Sequence, residues 1–187
     1  MKRREIIRYT ALMSGAALSA PLLSSIMTGC KSDPKTPLES GLKYFSNEEF
    51  EIVTLLVDVI IPKTDSPSGT EVGVHHTIDH MVATVYDDND KEEYNGAFQN
   101  MAVHLSTLDF FNKTNEEQTS ILSNVLSYSD PGLKEVKRGL QNIRQQSIAY
   151  YLSNEEIATQ YLNYLPVPGK WEPCTPLAEV EGKAWAI

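Results

Sequence analysis

The chain has 187 residues with 16 Lys+Arg against 25 Asp+Glu, a formal net charge of −9, and hydrophobic and charged fractions of 41% and 22%. That length buries a core without disulfide staples, and that composition excludes a disordered or collagen-like chain. The acidic balance argues against a nucleic-acid partner, which needs a basic face to neutralise phosphates, and two cysteines are too few for a disulfide scaffold or a Cys-rich metal site.

Residues 1–29 read as an export signal. Lys2, Arg3, Arg4 and Arg8 form a basic head, and an apolar stretch rich in Ala, Ser, Gly and Leu follows from Ala11 to Met27. Ser14, Gly15, Ser19, Pro21, Ser24 and Ser25 interrupt it, which makes it a poor permanent span. The pair Arg3-Arg4 followed by Glu5-Ile6-Ile7 is similar to a twin-arginine signal, with Ile-Ile where Phe-Leu is usual. Met27-Thr28-Gly29-Cys30 resembles a bacterial lipobox, in which Cys30 is acylated and becomes the mature N-terminus. An acylated Cys30 leaves Cys174 as a free thiol. Cleavage removes four basic residues and one acid, leaving 12 against 24, or −12. The expected location is the periplasmic side of a bacterial membrane, reached through a lipid anchor. Residues 30–45, with Pro34 and Pro37, read as a linker.

Residues 46–164 carry helical patterns. Ser46-Asn47-Glu48-Glu49 has the layout of a capping box, and the helix it starts ends at Ile61, before Pro62. Phe50, Val53, Leu56, Val57 and Ile60, with Ile52, Leu55 and Val59 beside them, cover most of its circumference, which predicts a central helix. Pro62 to Gly69 reads as a turn-rich loop. Val74, Ile78, Met81, Val82 and Val85 mark a second helix by their spacing. An acidic turn, Asp87-Asp88-Asn89-Asp90, precedes a third with Tyr94, Phe98, Met101, Leu105 and Leu108 on one face. Thr114-Asn115-Glu116-Glu117 repeats the capping box before Ile121, Leu122, Val125 and Leu126. Asp130-Pro131 opens a helix that turns Leu133, Val136, Leu140, Ile143 and Ser147 inward. Ser153-Asn154-Glu155-Glu156 reads as a third capping box, opening a short helix with Ile157, Tyr161 and Leu162. No stretch alternates with period two for long enough to be a strand. The fold class is all-α, a bundle of five or six helices. From residue 165 to 187, Pro166, Pro168, Gly169, Pro173, Pro176 and Gly182 forbid a long helix and predict an extended tail that packs on the bundle or on a partner. Both tryptophans, Trp171 and Trp185, lie in it, and with Leu177 they are the candidate partner-binding residues.

Chemistry-bearing motifs are sparse. His76 and His80 stand at the i,i+4 spacing that lets two imidazoles share a metal, with His75 adjacent. The run His76-Thr77-Ile78-Asp79-His80 lacks the Glu and third ligand of a zinc hydrolase, so His76 and His80 are weak metal candidates. The Asp87–Asp90 turn lacks the Gly and twelfth-position Glu of a calcium loop, since Phe98 stands there. There is no phosphate-cradling glycine loop, no Cys-x-x-Cys-His and no Gly-x-Ser-x-Gly elbow, and no residue is nominated as catalytic or cofactor-binding. The twin-arginine route exports proteins already folded, often around a cofactor. A chain without a cofactor motif then reads as the carrier of a cofactor-bearing partner.

Two blocks carry a family resemblance. Leu55-Leu56-Val57-Asp58-Val59-Ile60-Ile61-Pro62-Lys63-Thr64-Asp65-Ser66-Pro67, continuing through Gly73-Val74 to Ile78-Asp79, resembles the opening of the gluconate 2-dehydrogenase subunit 3 family. The run from Tyr164 to Leu177, and then Gly182-Lys183-Ala184-Trp185-Ala186, is similar to its C-terminal signature. The resemblance spans roughly residues 46–186. It implies a non-catalytic accessory subunit of a membrane-associated sugar or polyol dehydrogenase. It also implies a flavoprotein partner of the glucose–methanol–choline type holding FAD, and a cytochrome c with haem in a third subunit. The competing readings are a stand-alone interaction lipoprotein without a redox link, and a metal-dependent enzyme using His75, His76 and His80.

Overall fold

The computed structural model describes residues 41–165, 169 and 174–186, all within Gly41–Ile187, the second of the chain's two units. The export signal with Arg3 and Arg4, the lipobox with Cys30, the linker as far as Ser40 and Trp171 lie outside the described residues. Among the described residues six α-helices follow in order: α1 (Asn47–Ile60), α2 (Val74–Val85), α3 (Asp88–Thr107), α4 (Asn115–Ser127), α5 (Lys134–Leu152) and α6 (Glu155–Gln160). Among the described residues there is no strand, only one isolated parallel bridge between Asn163 and Trp185. The all-α expectation holds.

Helix starts follow local chemistry. Ser46 Oγ accepts from the Glu49 amide at 3.3 Å while the Glu49 carboxylate accepts from the Ser46 amide at 2.8 Å, which closes the capping box of α1. Thr114 and Glu117 do the same for α4. The acidic turn is the start of α3 itself: Asp87 Oδ1 accepts from the Asp90 amide at 2.8 Å, and Asp88 and Asp90 sit in the first turn, where the helix dipole favours negative charge. Asp130 caps a one-turn 3₁₀ helix, Pro131–Leu133, and α5 begins only at Lys134.

The third capping box is not formed. Helix α5 runs on to Leu152, so Ser153 is its C-cap and the Ser153 hydroxyl turns back to the Ala149 carbonyl. Asn154 takes over as N-cap of α6, accepting from the Glu156 amide at 3.0 Å and the Ile157 amide at 3.4 Å. Four consecutive polar residues satisfy the pattern in two registers, and the preceding helix decides between them.

The central helix is α5, not α1. Helix α5 packs on α1, α2, α3, α4 and α6, most extensively on α3. Its buried stripe is Val136, Gly139, Leu140, Ile143, Gln146, Ser147 and Tyr151. Gly139 makes the α3 contact possible, because a Cβ there would stand 2.3 Å from the Ala97 carbonyl oxygen. Helix α1 fully buries only Val53, Leu56 and Val57, while Phe50, Ile52, Leu55, Val59 and Ile60 are half-buried against the same core. Its apolar girth reflects packing on α2, α4 and α5. Helix α2 buries Val74, Ile78, Asp79 and Val82, and Val85 stands exposed in its last turn, past the end of that stripe.

Packing starts upstream of α1. Phe45 is in the core against Phe98, at 5.3 Å between ring centroids, within the span read as linker.

Candidate functional site

The 61–73 segment, the middle of the family-like opening block, is a loop held by its own side chains. The Asp58 carboxylate accepts from the Thr70 amide at 3.2 Å and from Thr70 Oγ1 at 2.7 and 2.8 Å. Glu71 accepts from the Ser68 amide at 2.9 Å and pairs with Lys63 Nζ at 2.6 Å. Together these hold Glu71 below the ordinary carboxylate range and Lys63 above its ordinary value, the direct hydrogen bond between them being the largest cause of both. Across the loop, the Tyr151 hydroxyl lies 2.8 Å from the Pro67 carbonyl oxygen and 2.9 Å from Ser66 Oγ. Asn154 Nδ2 donates to the Val72 carbonyl at 3.2 Å. The loop is thereby fastened to the α5–α6 corner. Between them is an open cleft of about 430 Å³ lined by Lys63, Thr64, Asp65, Glu71, Glu156 and Tyr161.

Gly73, at φ 77°, turns the chain from that loop into α2, a left-handed conformation that glycine adopts without strain. The three histidines follow at once. His75 and His76 lie ring to ring at 4.3 Å, and both pack on Phe50, at 5.3 and 5.0 Å. Burial, with His76 beside it and Asp58 opposing, pushes the His75 imidazole down to about 4, and its Nδ1 is buried without a hydrogen-bond partner. His80 lies a turn further on, with Nδ1 3.5 Å from Thr84 Oγ1. The i,i+4 pair therefore divides: His76 joins an aromatic cluster and His80 does not. Among the described residues no group of three or more His, Cys, Asp or Glu side chains is placed to hold a metal ion.

Asp79, between those histidines in sequence, is buried. Its Oδ2 accepts from the Lys43 amide at 2.7 Å, and its Oδ1 accepts from the Tyr44 and Phe45 amides at 2.9 Å each. A buried carboxylate needs such partners. Asp79 thus clamps the chain where it enters the bundle. A second buried polar group, Gln146 of α5, accepts from the Tyr94 hydroxyl at 2.8 Å and donates to the Tyr86 hydroxyl at 3.1 Å, joining α5 to α3 and to the end of α2. Burial first, and the neighbouring Tyr86, Tyr44 and Tyr150 after it, push the Tyr94 hydroxyl well above its ordinary range. Sequence reasoning missed both residues. Asp79 had one signal, an acid flanking the apolar stripe of α2. Gln146 had none beyond its place beside Ile143 and Ser147.

The described part of the tail folds back onto the end of the bundle. The Asn163 amide donates to the Ala184 carbonyl at 2.8 Å, and its own carbonyl accepts from the Ala186 amide at 3.0 Å. Its side-chain Nδ2 donates to the carbonyls of Lys183 at 2.8 Å and Val180 at 3.2 Å. Val180, on the short 3₁₀ turn Leu177–Val180, is buried, while Leu177 is 73% and Trp185 49% exposed. Tyr164 and Leu165, next to Asn163, are 55% and 52% exposed. Of the three candidate partner-binding residues, Leu177 and Trp185 are thus brought to one end of the bundle.

The family model described as gluconate 2-dehydrogenase subunit 3 matches residues 47–169. It takes in α1 to α6, the 61–73 loop and the first residues of the tail, and stops short of Trp171, Leu177 and Trp185. Comparison with curated proteins and with solved structures gives no match. With well over half of its length matched, including every helix of the bundle, the chain belongs to the gluconate 2-dehydrogenase subunit 3 family.

Proposed function

We propose that the chain is the non-catalytic small subunit of a membrane-bound, FAD-dependent sugar or polyol dehydrogenase on the periplasmic side of a bacterial membrane. It assists export, maturation and anchoring of the large subunit. FAD resides in that partner, a flavoprotein of the glucose–methanol–choline type, and haem c in a cytochrome subunit. The observation that carries this reading is the family match across the whole helical body. Two features support it. Arg3-Arg4 heads a signal suited to export of a folded complex, and Thr28-Gly29-Cys30 supplies a lipid attachment point. Three polar side chains also act on the chain's own backbone: Asp79 on the entry segment, Asp58 on the 61–73 loop and Asn163 on the tail.

The test is export of the partner rather than of this chain alone. With Arg3→Lys and Arg4→Lys together, both this subunit and the flavoprotein are expected to remain inside the cell, with dehydrogenase activity lost from the periplasmic face. Normal delivery of the flavoprotein by that variant would remove the carrier role.

A further inference from the structure

We infer that the end of the bundle around Asn163 is the docking surface for the flavoprotein subunit, with Tyr164, Leu165, Leu177 and Trp185 at its apolar centre and Glu179 and Glu181 on its rim. This rests on the accessory-subunit reading above and adds where the partner sits and what its surface must be. The backbone bonds from Asn163 to Ala184 and Ala186, and its side-chain bonds to Val180 and Lys183, fix a tail that has little regular structure of its own. Burial of Val180 anchors the same segment. Beside those bonds four large apolar residues stand about half or more in water, on described stretches tied to one another through Asn163. Docking such a segment costs little further ordering entropy, and Trp and Tyr are the side chains that most often dominate interface energy.

Size and charge select the occupant. Together the four side chains expose apolar surface on the order of a few hundred Å², the scale of an interaction site. That is less than the ~800 Å² per partner of a standard interface, so the surrounding polar rim completes it. Glu179 and Glu181 are exposed, and Lys183 pairs with Glu181 at 3.3 Å, which leaves the rim net negative. A second copy would bring that same rim, on a chain of net charge −9, against itself. An anionic lipid surface would be repelled likewise. A separate protein with an apolar recess and basic residues around it satisfies both the patch and the rim.

The experiment uses the full-length tagged chain, expressed in its own host and purified from solubilised membranes, with flavin absorbance read per chain. Leu177→Glu and Trp185→Glu are each expected to lower retained flavin at least tenfold against the unsubstituted chain. Asn163→Asp, which cannot donate to Val180 and Lys183, is expected to lower it several-fold. Glu179→Lys with Glu181→Lys is expected to weaken retention as well. Circular dichroism of each variant should stay superimposable on the parent, since the substituted apolar side chains are exposed. Retention of flavin by Leu177→Glu and Trp185→Glu at the parent level would overturn the docking surface and leave the accessory-subunit reading standing. Absence of flavin with the unsubstituted chain would overturn both. A homodimer, or binding to phosphatidylglycerol vesicles, abolished by these substitutions while flavin retention is unchanged, would give the patch to a second copy or to lipid and also overturn the inference.

Discussion

Gly139 and Gly96 separate two roles that one residue type can have in a helix. A Cβ at Gly139 would meet the Ala97 carbonyl oxygen at 2.3 Å and Met101 Cβ at 2.9 Å, so α3 and α5 would have to move apart. A Cβ at Gly96, on the exposed side of α3, would meet nothing within 4 Å. Gly139→Ala is therefore expected to destabilise by about 2–3 kcal/mol through overpacking. Gly96→Ala is expected to stabilise by about 0.5–1 kcal/mol, since glycine is the poorer helix former. Urea unfolding of the two variants should move the midpoint in opposite directions. His75 gives a pH dependence with a definite sign. Its folded value is held down to about 4 from an ordinary 6.5, so between those limits the unfolded chain binds more protons. The stability associated with its neutral ring is complete above about pH 6.5, falls as pH drops toward 4, and changes no further below that. The ring is only half-buried, so after discounting for solvent screening the loss is of order 1 kcal/mol. His75→Phe should flatten that part of the stability–pH curve, measured by thermal unfolding between pH 7 and 4.

At the scale of elements, the helices were legible because caps and apolar spacing agree. Ser46 with Glu49 and Thr114 with Glu117 close as their spacing requires, and the apolar stripes of α3 and α5 point inward except at Leu108 and Leu133, which are half-buried caps just outside the two helices. The Ser153–Glu156 pattern misled because capping chemistry does not state which of two adjacent polar residues ends the previous helix. Asn154 both caps α6 and ties it to Val72. Asn154→Ala should therefore cost about 1–2 kcal/mol, while Ser153→Ala should stay within about 0.5 kcal/mol. Equal effects in chemical denaturation would contradict that assignment. The centrality of α5 was hidden for a similar reason. Its Gly, Gln and Ser positions lower its apparent hydrophobicity, yet these are the residues that admit α3 and bridge to Tyr94 and Tyr86. The clamp by Asp79 and the pin by Asn163 join segments 34 to 36 and 17 to 20 residues apart, which local periodicity does not reach.

For the whole molecule, the family block and the structure bear on one another. The run from Asp58 to Asp79 reads in sequence as a signature without chemistry, and in space it is the end of α1, a loop and the start of α2, with Glu71 accepting from the Ser68 amide and Asp58 accepting from the Thr70 amide and hydroxyl. The i,i+4 histidines are weak metal candidates in sequence; His76 packs with His75 and Phe50, His80 lies by Thr84, and among the described residues no group of three or more possible ligands is placed to hold a metal ion. The surface that the proposed partnership would use is an acidic body and an apolar end tied to the backbone through Asn163. The family is that of a gluconate 2-dehydrogenase subunit, and we propose that this chain holds a flavoprotein partner. The most direct measurement is purification of the tagged full-length chain from its native membrane, followed by the flavin spectrum and the flavin-to-chain ratio of the eluate. The expected result is a flavin spectrum at close to one flavin per chain, together with a large subunit that oxidises a sugar or polyol. A homogeneous chain eluting without flavin or any large partner would contradict it.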